Sequence, residues 1–158
     1  MKPMFRHTAF FGGLLGAVII GGLLAGPAWA DSIEEWIEKL RSPEPFERRL
    51  ASSELGKTKD PRAVVPLIRL FHDPEPMVRL DASGALIQIG SPVVEPLIGE
   101  LKNEDDSIFL WNAIRVLENI GDSRAIEPIE EIKENHRDPD IQQIAGYALD
   151  KLSRGKKK

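Results

Sequence analysis

Apolar residues recur along this chain at two spacings. Within short stretches they stand three and four apart, as on one face of an α-helix: Val78, Ala82, Ala85, Leu86 and Ile89, then Phe109, Ala113, Val116, Leu117 and Ile120. Over longer distances the pattern returns. Ala51, Ala82, Ala113 and Ala145 are separated by 31, 31 and 32 residues, and four residues after each stands Leu55, Leu86, Leu117 or Leu149. Pro66, Pro96 and Pro128 lie 30 and 32 apart, each followed at once by Leu67, Leu97 or Ile129. A period in the thirties with two helical patterns in it predicts a solenoid of stacked helix pairs, each burying its apolar side against the next.

Polar residues punctuate that pattern. The first helix of each pair follows an acidic turn: SPEP at 42–45, DPEP at 73–76, NEDD at 103–106 and RDPD at 137–140. Its expected stops are Gly56, Gly90 and Gly121, where a left-handed cap is natural. The second helix follows KDPRAVVPLIRLF (59–71) or GDSRAIEPIEEIK (121–133), in which Asp60 and Asp122 suit an N-cap. Pro66 and Pro128 come six residues after those caps. A proline that deep lacks the N–H for a helical hydrogen bond and collides with the carbonyl four residues back. The sequence therefore predicts a tight turn first, with the regular helix starting close to the proline. Ahead of the first pair, Ser32-Ile33-Glu34-Glu35 is a capping box, and Ile33, Trp36, Ile37 and Leu40 form the stripe of an extra helix closing one end of the stack. Gln142, Gln143, Asp150 and Lys151 give the other end a polar outer face.

EPMVRLDASGALIQIG (75–90) and KDPRAVVPLIRLF (59–71) resemble the HEAT-like repeat of the phycobilisome-linker lyases, and the resemblance runs from about Pro45 to Leu152. It implies an all-α fold, a right-handed α-α superhelix of about four HEAT-like helix pairs. Proteins of this kind are mostly α-solenoid adaptors; a minority handle tetrapyrroles or carry enzymatic modules. The chain departs from the repeat in places. Lys59 replaces a glycine, the second repeat shortens its corner to Ser91-Pro92-Val93-Val94, and the arginine seen as Arg48 and Arg79 becomes Leu110 and Gln142.

Outside the repeats, residues 1–30 join a basic start (Lys2, Arg6) to an apolar run ending in Gly26-Pro27 and Ala28-Trp29-Ala30, the make-up of a signal peptide cleaved after Ala30. The alternative is an uncleaved anchor over residues 8–30, long enough for a bilayer core of ~30 Å. Export predicts a periplasmic or secreted protein, with a repeat domain at 31–153 and a basic disordered tail at 154–158. The sequence has no cysteine, which excludes disulfides, thiol catalysis and attachment of a group through its own sulfur. Without Lys2 and Arg6 the chain keeps 19 basic against 25 acidic side chains, a net −6, which argues against nucleic acid as a partner.

Candidate chemistry is sparse. After residue 30 the only histidines are His72 and His136, in linkers two periods apart and expected to be solvated. No catalytic residue, metal site or cofactor is expected. Two surfaces stand out instead. The helix over 108–120 is apolar nearly all round; its surplus residues Leu110, Trp111 and Ile114 are either covered by a neighbour or form a partner-binding patch. The row of second helices offers Arg62, Arg69 and His72, then Glu95 and Glu100, then Glu127, Glu130, Glu131 and Glu134, grading from basic to acidic. The function expected from these features is a non-enzymatic, exported scaffold or adaptor binding another protein of unspecified identity. The alternative is a lyase-like or chaperone component handling a tetrapyrrole or similar cofactor.

Overall fold

The structure is a computed structural model, described for residues 32–155 apart from Asn103. The leader at 1–30 and Lys156–Lys158 of the basic tail lie outside the described residues. Among those described there are eight α-helices and no strand: α1 (Ile33–Lys39), α2 (Pro45–Thr58), α3 (Val64–Arg69), α4 (Pro76–Ile89), α5 (Val94–Leu101), α6 (Ser107–Ile120), α7 (Ile126–Asn135) and α8 (Pro139–Gly155). None is long and apolar enough to cross a membrane.

The architecture is an all-α solenoid. The first helices α2, α4, α6 and α8 pack in sequence, each on the next, while α3, α5 and α7 pack against α4, α6 and α8. The periodic positions carry the core: Ala51, Ala82, Ala113 and Ala145 are buried, as are Leu55, Leu86, Leu117 and Leu149. Small alanines let the first helices approach closely. Gly56 goes further, for a Cβ there would lie 2.8 Å from the Cα of Ala85. Phe71, after α3, meets Phe109 of α6 edge to face at 5.4 Å, joining elements more than one period apart.

Each second helix begins as expected. A 3-10 turn covers Pro61–Ala63, Ser91–Val93 or Ser123–Ala125, and the α-helix then opens with its proline third: Pro66, Pro96 and Pro128. The missing N–H falls in the first turn, where it has no intrahelical partner in any case. The carboxylates of Asp60 and Asp122 accept from the N–H of Arg62 and Arg124, at 2.9 Å each.

One expected helix stop is misplaced. Gly56 is buried inside α2, which runs on to Thr58 and ends at Lys59 in the left-handed region (φ 54°). Close packing against Ala85 explains the glycine, and the residue after the helix takes the capping conformation. Gly121 caps α6 as predicted, with φ 78°. At the far end α8 reaches Gly155, so Arg154 is helical rather than part of a disordered tail.

Candidate functional site

The arginine position of the first helices organises one side of the stack. In α2, the Nη1 of Arg48 donates to the carbonyls of Ser42 (2.9 Å) and Pro43 (3.1 Å). Its Nε and Nη2 grip the Asp73 carboxylate at 2.7 and 2.8 Å, a buried bidentate pair. In α4, the Nη1 of Arg79 makes the same latch to the carbonyls of Asp73 (2.6 Å) and Pro74 (3.2 Å). In α8, Gln142 keeps part of the latch, donating from Nε2 to the His136 carbonyl at 2.6 Å. The substitutions at this position leave the stack regular.

Leu110 is the exception. It turns inward and is fully buried, as is Ile114, because α6 packs between α4 and α8. These two residues therefore do not reach a partner surface, contrary to a patch built from Leu110, Trp111 and Ile114. Trp111 does reach it, 43% exposed, alongside Ile108 of its own helix and Met77 and Leu80 of α4. These four line a groove of about 450 Å³ between α4, α6 and the start of α8. A second hollow of about 210 Å³ adjoins it, sharing Leu80, Trp111 and Asn112. Its wall includes Arg115, whose guanidinium stands 4.8 Å from the centre of the Trp111 ring.

The polar groups of the larger groove are Arg79, Ser107, Asn112, Asp138 and Asp140. Asp138 has no guanidinium partner among the described residues; the Ser107 hydroxyl donates to it at 2.6 Å and the Asp140 N–H at 2.9 Å. These bonds, the hydroxyl's first, hold the Asp138 carboxyl below the usual range and keep it ionised. The groove thus joins an aromatic and aliphatic floor to a cation and an anion. That combination can hold a flat, conjugated molecule bearing both an acid arm and N–H donors, and the volume lies within the ~300–1,000 Å³ of small-molecule sites.

The other expected site residues lie elsewhere. Arg69 (α3), Glu95 (α5) and Glu127, Glu130, Glu131 and Glu134 (α7) are exposed on the second helices, and none lines the groove around Trp111. Glu95 is engaged within the stack by the Arg124 Nη1 at 2.9 Å. His72 is exposed, as expected, while His136 is only half-exposed. His72 stacks on Phe109 at 4.9 Å, with Glu104 and Asp106 at 3.4 and 3.5 Å from its nitrogens. His136 accepts the Asp138 N–H at Nδ1, and its buried Nε2 meets no partner among the described residues. Those residues hold no group of three or more side chains fit to bind a metal.

The sequence reading missed Met77, Leu80, Ile108, Arg79 and Asp138 as parts of one site. A signal was present. Met77 and Ile108 share one register position, Leu80 and Trp111 another, and both positions fall off the core stripe.

Comparison with known proteins bears on what this site does. A family model of HEAT repeats matches residues 33–109, and a model of the PBS lyase HEAT-like repeat matches residues 109–135. The chain is also similar to the bilin biosynthesis protein PecF of Nostoc sp. (strain PCC 7120 / SAG 25.82 / UTEX 2576), at 34% identity over 95 residues. That alignment takes in 58% of this chain and 55% of the relative, so the chain spans about half the length of the curated protein it matches. Likeness to a bilin biosynthesis protein, with a lyase-type repeat, overturns the expectation of a pure, non-enzymatic scaffold and favours the lyase-like alternative. The expectation that the chain is no enzyme weakens for the same reason. That it works with another protein agrees with HEAT repeats as interaction surfaces. From the family matches and the stacked helix pairs together, the chain is a HEAT-repeat protein, with a match to the PBS lyase HEAT-like repeat at residues 109–135.

Proposed function

We propose that this chain is a lyase-type component that handles a bilin, or a cofactor of similar build, in the groove around Trp111. The observation that carries this reading is the similarity to the bilin biosynthesis protein PecF. The groove supports it chemically. A bilin is an open-chain tetrapyrrole with flat conjugated rings, pyrrole N–H donors and carboxylate arms. Trp111, Leu80, Met77 and Ile108 would cover ring faces and displace water from them. Asp138, held ionised by its own hydrogen bonds, would accept a ring N–H. With no cysteine in the sequence, the chain forms no thioether to its ligand. The sulfur for any covalent attachment belongs to an acceptor protein, which is the class of partner this reading implies.

Titration with biliverdin tests the proposal. Binding is expected to shift and sharpen the visible absorption of the pigment and to quench tryptophan emission. Trp111→Ala should weaken binding by several-fold to about tenfold, the worth of one aromatic contact. An absorption spectrum unchanged at every protein excess would count against a bilin-handling role.

A further inference from the structure

Arg48 and Arg79 hold the same position in successive first helices, and their outer edges meet different fates. Both latch Nη1 onto two upstream carbonyls. Arg48 then closes its Nε and Nη2 on the carboxylate of Asp73, 25 residues further along. The residue 25 beyond Arg79 is Glu104. Its carboxylate is turned away. One oxygen accepts the N–H groups of Asp105 (3.0 Å) and Asp106 (2.8 Å), and the other faces the Nε2 of His72 at 3.4 Å. The Nε and Nη2 of Arg79 therefore meet no acceptor among the described residues. This half-buried arginine also lines the groove whose floor holds Leu80, Ile108 and Trp111.

We propose that the unoccupied edge of Arg79 is a carboxylate-binding subsite, which receives a propionate arm of the bilin; the identity of the ligand rests on the reading above. The partner that Arg48 finds within the stack is, at Arg79, supplied by the ligand. A guanidinium offers two parallel N–H donors that match a carboxylate. Because Nη1 is already fixed by two carbonyls, ordering this side chain on binding costs little further entropy. The apolar floor selects a ligand with a conjugated or aliphatic body behind its acid. Asp138, ionised in the same groove, repels a second acid placed near it and so orients the ligand with its acid toward Arg79.

The natural repeats supply the test variant. Gln142 occupies the equivalent position in α8 and keeps the carbonyl latch without the charged fork, so Arg79→Gln preserves the local structure. Binding of biliverdin and of its dimethyl ester would be compared in the wild type and in Arg79→Gln, alongside 1-pyrenebutyrate and its methyl ester. Circular dichroism confirms the helices. In the wild type each acid is expected to bind roughly ten- to hundredfold more tightly than its ester, the worth of a charge-assisted pair. In Arg79→Gln acid and ester should bind alike, at the affinity of the wild type for the ester. Acid preference for pyrenebutyrate, abolished by Arg79→Gln, with no binding of biliverdin would uphold the subsite and remove the bilin reading. Equal binding of acid and ester by the wild type, acid preference retained in Arg79→Gln, or no binding of any probe would overturn the subsite.

Discussion

Gly56 and Lys59 sit three residues apart at the end of α2, and each holds the place the other residue type would suit. Gly56 is helical, and the space where its Cβ would go is filled by the Cα of Ala85 at 2.8 Å and its Cβ at 3.0 Å. Because the nearest atom is backbone, Gly56→Ala must push α2 away from α4, and it should destabilise the fold by about 1–3 kcal/mol despite alanine's better helix propensity. Lys59 sits in left-handed geometry, at a cost of about 1–2 kcal/mol for a residue with a side chain. Lys59→Gly removes that cost and gives back less than about 1 kcal/mol in unfolded-chain entropy, so it should raise stability slightly. Thermal denaturation of both variants checks the pair; opposite signs are expected, and a stabilising Gly56→Ala would mean that the two helices can part freely. The sequence shows a glycine near a helix end but not whether it serves the backbone or a neighbour. That distinction depends on Ala85, 29 residues away.

At the scale of the element, the Asp-x-Arg phrase is a staple as well as a corner. Arg124 binds Asp122 within its own turn and reaches back to Glu95 (2.9 Å) and Ser91 (3.2 Å) in the preceding pair. Arg62 does likewise, joining Asp60 to Glu34 of α1. The corner was legible in advance because capping and proline geometry are local. The staple was not, because its far carboxylates stand 28 and 29 residues away in sequence. Hydrogen bonds from the Arg124 side chain, then from its N–H, hold the Asp122 carboxyl down at about 2. A depressed pKa contributes stability that is present above the unfolded value of ~3.9 and is lost as pH falls through the folded one. Asp122→Asn should therefore lower the melting temperature at pH 7, and its deficit relative to the wild type should shrink between about pH 4 and pH 2. A deficit that stayed constant across that window would show that the ionisation of Asp122 is not what stabilises the corner.

For the whole molecule, the alanine and leucine period made the stack readable because every pair solves the same burial problem in the same register. The groove was hidden because it arises where the arginine–carboxylate pairing of the first helices lapses. Leu110 replaces an arginine and sinks into the core, so α6 presents Trp111 and Ile108 to the groove without a guanidinium between them, while Glu104 turns to His72 and leaves Arg79 without its carboxylate. Each change is a single residue in one repeat, and only the packing of α4, α6 and α8 brings them to one place. The same packing sets where the chain is firm. No residue of α1 is fully buried, and α7 buries only Ile129, whereas α4 and α6 bury six and seven residues between packed neighbours. In a linear stack, opening an end disrupts one interface and opening the middle disrupts two. Native-state hydrogen exchange should therefore release the amides of α1 first and those of α7 next, with α4 and α6 protected to near the global unfolding limit. The floor of the groove, Leu80 and Trp111, belongs to those two most protected helices, so it should meet a ligand already formed. Early exchange in α4 or α6 would mean that the groove is assembled only on binding.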